Sequence, residues 1–254
     1  MRAEAILLPG AVLPADLAYG GLLEALGGEV RAVAKDLEVY ADDEPPPDYS
    51  LDLEVEGVLR TAADSGFDRF HLAGYSAGGA ASLVFAARHP ERLLSLTLLE
   101  AAWAGNEGLD PAERAVRAGF DRIMAQPPEE MMPAFVRLQL APGVEPPPPP
   151  PGPPPWMEKR PPGLRAITRA FDSGELDLDA LRSFHRPVYF VLGGLSNPDL
   201  YAREAERLRG VFPDFTLEVF EDRHHFDPPH RAEPERLAAS LRQLWARAEA
   251  SAAD

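Results

Sequence analysis

The residues with most chemistry in them are Gly74-Tyr75-Ser76-Ala77-Gly78, with Gly79 behind. An apolar run, Phe70-His71-Leu72-Ala73, leads in, and a small-residue run from Ala80 to Arg88 leads out. That context predicts a serine on a sharp strand-to-helix turn. A serine so placed has a strained backbone, and bulky neighbours would collide; Gly74 and Gly78 remove those side chains. The turn lifts the hydroxyl above the sheet's C-terminal edge, where the first helical amides and the positive end of the dipole favour a developing anion. The plainer alternative is an ordinary helix start made of small residues.

A serine hydroxyl is a weak nucleophile until a base takes its proton. Six histidines compete for that task. His71 lies in the predicted strand before Ser76, His89 precedes Pro90 at a helix end, and His185 leads into a strand. That leaves Glu221-Asp222-Arg223-His224-His225-Phe226-Asp227-Pro228-Pro229-His230. This segment follows the last predicted strand and precedes the last helix, where the histidine belongs in the order serine, acid, histidine. His225 is the expected base and His224 the second choice.

The elements that must position these residues follow from apolar periodicity. Short apolar runs predict strands at Ala5–Leu8, Val30–Val33, Arg69–Ala73, Leu94–Leu99, Val188–Leu192 and Phe215–Phe220. Helical patterns lie between them at Leu17–Leu26, Asp52–Ala63, Ala77–Arg88 and Leu200–Leu208, with a long one at Glu233–Ala248. Strands alternating with helices mean βαβ units and a mostly parallel, doubly wound sheet of about six strands. Continuous apolar strands suit a sheet covered on both faces.

The alternation stops between about 104 and 186. Only helical patterns occur there, at Ala112–Met124, Glu129–Leu140, Gly163–Phe171 and Leu176–Phe184. Between them run Pro146–Pro151, Gly152 and Pro153–Pro155. Such a run favours extended polyproline II and excludes helix and interior strand. We expect a helical, Pro-rich insertion over the sheet, strapped by the prolines, with 1–103 and 187–254 forming the core; a disordered linker is the alternative.

Composition narrows the chemistry further. Of 28 prolines, 12 lie between Pro142 and Pro162, so the remainder is ordinary globular chain. Net charge is −16, and Lys35 and Lys159 are the only lysines. No basic stripe is present, which disfavours nucleic acid and anionic membranes as partners. The absence of cysteine removes thiolate metal sites and Cys nucleophiles. No GxGxxG or GxxxxGK[ST] fingerprint occurs, so dinucleotide and phosphate-loop readings lack their signature. No apolar stretch reaches membrane-spanning length. The expectation is a soluble, cytoplasmic protein needing no metal and no organic cofactor, and acting on a small molecule; oligomeric state is left open.

With these motifs in place, the chain resembles the α/β-hydrolase superfamily over nearly its whole length. Gly74–Gly78 resembles that family's nucleophile elbow, and His225-Phe226 its Gly-His-Phe segment, with Arg223-His224 in place of small residues. The insertion stands where the family carries a cap, and the resemblance implies a core that starts at the family's third strand, lacking the first two. The family's usual acid lies in a Gly-x-x-Asp-Pro pattern after the cap. Here that segment is Gly194-Leu195-Ser196-Asn197-Pro198, and an amide cannot balance an imidazolium as a carboxylate does. A minority of the family places the acid after the strand beside the nucleophile strand, which here is Glu100. The resemblance thus implies a triad of Ser76, His225 and Glu100, with Asp199 as the alternative acid. It also implies an oxyanion hole from the amides of Ala77 and of Ala11, in the Pro9-Gly10-Ala11-Val12 loop.

The substrate pocket is expected between sheet edge and insertion. Tyr75, Trp103, Met132, Phe135 and Trp156 are its candidate walls, with Met131 beside them; a helical apolar stripe is otherwise packing. No Arg or Lys in the insertion stands out as a carboxylate clamp. The expected function is cleavage of a small, largely apolar ester through an acyl-enzyme. Two other readings fit the same residues: a ligand receptor or regulator with slow turnover, and an acyltransferase or perhydrolase using the same triad.

Overall fold

Six strands form where apolar runs predict them: β1 (Ala3–Leu8), β2 (Val30–Ala34), β3 (Phe70–Tyr75), β4 (Leu93–Leu99), β5 (Val188–Gly193) and β6 (Phe215–Phe220). The computed structural model describes residues 2–106, 108–148 and 152–253. Every strand pairing is parallel, in the order β2-β1-β3-β4-β5-β6. Side chains alternate across the sheet, so each strand feeds two cores. Ile6, Leu8, Leu72, Leu96, Leu98 and Phe190 face one; Ala5, Leu7, Tyr189 and Val191 face the other.

Helices cover both faces, as parallel strands require. On one side, α1 (Ala15–Leu26) contributes Tyr19, Leu22 and Leu26. The other side takes α2 (Leu51–Ser65) through Val55 and Val58, and α3 (Ala77–Arg88) through Leu83 and Phe85. Between β4 and β5 come α4 (Pro111–Met124), α5 (Pro128–Leu138), α6 (Arg160–Ser173) and α7 (Leu178–Arg182). After β5 come α8 (Tyr201–Arg209), α9 (Pro229–Ala232) and α10 (Pro234–Ala253). Leu237, Leu241 and Trp245 of α10 complete the α1 face.

Among the helices, α9 has no counterpart in the sequence reading, α10 runs past Ala248 to Ala253, and α6 and α7 differ in their bounds. α6 begins at Arg160, three residues before Gly163, because Pro161 and Pro162 occupy its first turn, where the missing amides have no helical partner anyway. α7 is shorter than the predicted Leu176–Phe184; Asp177 caps it and the chain must extend ahead of Pro187 to enter β5. Of the proline run, 149–151 lie outside the described residues. On either side of them, 145–148 are without regular structure and Pro155–Lys159 form a 3-10 turn.

The order reverses at β1, which has β2 on one side and β3 on the other. In open parallel sheets, ligands bind beyond the carboxyl ends of the strands at such a switch point. The loop after β1 and the β3–α3 turn both end there, and Gly78 N donates to Pro9 O at 3.1 Å.

The fold also buries His71, with Nδ1 2.8 Å from Ser95 Oγ and the ring stacked on Trp245 at 5.1 Å. Burial lowers its pKa from 6.5 to about 3. Between those values the unfolded chain binds a proton that the folded chain does not, so stability falls as pH drops. We expect the unfolding free energy of the wild type, relative to His71→Leu, to decline by about 1.4 kcal/mol per pH unit below roughly pH 6.5. Urea midpoints measured from pH 7 to 4 check this; parallel curves for the two proteins contradict it.

Candidate active site

Ser76 lies between the end of β3 and the start of α3 with φ 53° and ψ −115°. Among the described residues only Ser76 and Glu100 have positive φ without being glycine. Such backbone persists only where its surroundings over-determine it. Here Ser76 N donates to Leu99 O at 3.1 Å, and Ser76 O accepts from Ala102 N at 2.9 Å and Ala80 N at 3.1 Å. The glycines leave no room for alternatives. A Cβ on Gly74 would lie 2.3 Å from Gly78 O, and one on Gly78 would lie 2.5 Å from Leu8 O.

Three buried polar side chains meet at this turn. His225 Nε2 is 3.1 Å from Ser76 Oγ, and His225 Nδ1 is 2.9 Å from Glu100 Oε2. Glu100 follows the last residue of β4, and its Oε1 accepts from Gly193 N at 2.8 Å. Tyr201 lies flat on the imidazole, with centroids 4.5 Å apart and planes 13° apart. Tyr75 packs at 4.8 Å on the same ring and donates its hydroxyl proton to the His225 carbonyl. Imidazole, hydroxyl and carboxylate are thus aligned for proton transfer from serine to histidine, with a carboxylate to balance the imidazolium.

The other candidates lie elsewhere. His224 turns its Nδ1 to accept from Phe226 N at 3.1 Å and Asp227 N at 3.0 Å, which closes its own loop. Asp199 is exposed and pairs with Arg203 Nε at 3.0 Å. Asn197 does structural work: Nδ2 donates to Leu138 O at 2.7 Å and Oδ1 accepts from Asp199 N at 3.0 Å, tying the β5–α8 loop to α5.

Two amides flank Ser76. Neither Ala77 N nor Ala11 N has an acceptor among the described residues. The Ala11 loop is held by the Gly78–Pro9 bond and by Tyr40 Oη, which donates to Ala11 O at 2.6 Å. Gly10 permits the close approach, since a Cβ there would lie 2.7 Å from the Tyr75 ring.

Ser76, Ala11 and Phe135 line two cavities at once. The first, about 100 Å³, also has Ala77, Trp103, Phe120, Leu164 and Ile167 in its wall. The second, about 360 Å³, is walled by Tyr75, Trp156, His225, Phe226 and prolines 147, 148 and 154. Met132 lines neither, which corrects its assignment as a wall. On α5, Met131 and Phe135 share the buried face, one turn apart; Met132 is rotated about 100° from them and packs half-buried against the core. Sequence reasoning missed Tyr201, Glu204, Arg117 and Arg207, all in the wall of the first cavity. Arg117 is the charged residue of the insertion that did not stand out. Its guanidinium donates to the carbonyls of Trp103 and Gly105 and pairs with Asp172 at 3.1 Å, so it serves the protein's own groups. The buried stripe of α8 could have located Tyr201, but a glutamate within that stripe reads as solvent-facing.

Among the described residues no helix is long and apolar enough to cross a membrane. No curated protein is similar enough in sequence to match. A bacterial membrane phospholipase A, described as a virulence factor, is 22% identical, covers 98% of this chain and 80% of its own, and has a TM-score of 0.72. A thermophilic esterase from Thermogutta terrifontis is 17% identical, with coverage of 97% and 90% and a TM-score of 0.71. A structure reported with carboxylesterases of the ammonia-oxidizing thaumarchaeon Nitrososphaera gargenis is 16% identical, with coverage of 98% and 92% and a TM-score of 0.72. At these identities the likeness is one of fold. The sequence model described as the Alpha/beta hydrolase family matches residues 5–240, and the chain belongs to that family.

Proposed function

We propose that this protein is a serine hydrolase that cleaves a small, largely apolar carboxylic ester through an acyl-enzyme. One observation carries the reading: the buried line of contacts from Ser76 Oγ through His225 to Glu100, built on a strained serine. Ser76 Oγ attacks the ester carbonyl as His225 Nε2 takes its proton. The amides of Ala77 and Ala11 receive the oxyanion. Collapse breaks the ester C–O bond, and the alcohol leaves with the proton from His225. Water then attacks the acyl-enzyme by the same steps, restoring Ser76 and releasing the acid. Glu100 keeps the proton on Nδ1 and balances the imidazolium. Residues 104–186 act as a cap on a core of 1–103 and 187–254, with Trp103 and Phe135 in the walls of the first cavity and Tyr75 and Trp156 in those of the second. Family membership and fold neighbours named as esterases support the ester class.

A fluorophosphonate probe tests the reading. The folded protein is expected to label on Ser76, located by peptide mass spectrometry, and to hydrolyse nitrophenyl esters of short acids. Folded protein that neither labels nor turns over these esters favours a receptor on the same fold.

A further inference from the structure

α8 presents Tyr201, Glu204 and Arg207 to the first cavity. Steps of three residues keep them on one face, each about 4.5 Å further along the helix. Tyr201 lies on the His225 ring. Arg207 is already engaged: it pairs with Glu113, donates to Gly108 O at 3.2 Å and lies 4.4 Å over the Trp103 ring. Glu204, between them, is 5% exposed, and its Oε1 is buried with no hydrogen-bond partner among the described residues.

A buried carboxyl oxygen with nothing to bind costs stability, and an apolar side chain would cost none. Departures from good packing of this kind concentrate at functional sites. The groups around Glu204 define what it can take. Burial raises its pKa well above the carboxylate range, with Glu113 and Glu100 adding to the rise and Arg207 and Arg117 opposing it. Burial thus favours the protonated carboxyl, an O–H donor. Arg117 and Arg207 in the same wall are already paired with Asp172 and Glu113, so neither is free to clamp a charged acyl chain. A plain alkyl chain would strip water from the carboxyl and return no hydrogen bond.

The cavity also says which half of an ester meets Glu204. The departing alcohol must stay in reach of His225, which protonates it. His225 lines the second cavity and not the first. The acyl chain therefore occupies the first cavity, beside Glu204.

We infer that Glu204 is a specificity-determining residue of the Ser76 site, donating a hydrogen bond to an oxo or hydroxyl oxygen on the acyl chain of the substrate. The inference rests on the serine-hydrolase reading and narrows its substrate to oxygenated acyl esters.

The test compares kcat/KM for nitrophenyl hexanoate, its 4-oxo and 5-oxo derivatives, and 6-aminohexanoate. Wild-type protein is expected to favour at least one oxo ester over hexanoate by about tenfold or more, the discrimination a buried hydrogen-bonding group supplies. In Glu204→Leu that ratio is expected to fall to about one, while Glu204→Gln, which keeps a donor, retains most of it. Should Glu204→Leu not fold, Glu204→Met carries the same comparison. A wild type without oxo preference, a preference that survives both apolar variants, or a preference for the amino ester overturns the inference. Turnover of hexanoate by the wild type and its loss in Ser76→Ala report on the hydrolase reading separately, so the two can fail independently.

Discussion

Ser76→Ala is expected to lower kcat/KM for nitrophenyl esters by about four to six orders of magnitude and to abolish fluorophosphonate labelling. The change removes one oxygen, Oγ, which is 3.1 Å from His225 Nε2. The backbone bonds of Ser76 to Leu99, Ala80 and Ala102 remain, so the fold should survive the loss. His225→Ala should cost about as much, because an undeprotonated hydroxyl is a poor nucleophile. The double variant should lie within about tenfold of either single one, since the two groups act as a unit. Steady-state kinetics on the three proteins check this, with circular dichroism as the control for folding. Additive losses, or a Ser76→Ala protein that still turns over, would remove Ser76 from the mechanism.

Glu100→Gln is expected to lower kcat by about three to four orders of magnitude, with a much smaller change in KM. The reasoning turns on where one proton sits. Glu100 Oε1 accepts from Gly193 N at 2.8 Å, and a glutamine carbonyl can keep that bond. Its amide nitrogen then faces His225 Nδ1, where Glu100 Oε2 stands at 2.9 Å. An amide N–H there must donate, so Nδ1 becomes the acceptor and the imidazole proton moves to Nε2. The histidine then points an N–H at Ser76 and can no longer accept its proton. Asp199→Asn provides the contrast: Asp199 pairs with Arg203 on the surface, and its loss should cost less than about tenfold. The kcat values of the two variants decide between the carboxylates. A collapse in Asp199→Asn together with a mild effect in Glu100→Gln reverses the assignment.

Much of this architecture is legible in the residues because its causes are local. Parallel strands buried on both faces must be apolar throughout, so runs such as Ile6-Leu7-Leu8 and Val188–Leu192 announce themselves. The β3–α3 turn does so too, because only glycine fits at 74 and 78 beside Gly78 O and Leu8 O. Helix ends were less legible. The sequence reading starts α6 at Gly163, past Pro161 and Pro162, although proline in a first turn costs no hydrogen bond.

What the sequence determined by itself was the set of elements, their type and order, and a serine on a turn that only small neighbours permit. Each of these depends on residues within a few positions of one another. The tertiary structure decided everything that depends on which distant residues meet. Ser76, Glu100 and His225 come together because β3, β4 and the loop after β6 end at one sheet edge. Met132 is turned out of the cavities by a helix rotation that no composition reveals. Glu204 is hidden most deeply of all. A glutamate in a helix reads as a solvated face, and only the packing of α8 over the cavity makes it a buried carboxyl with an unpartnered Oε1.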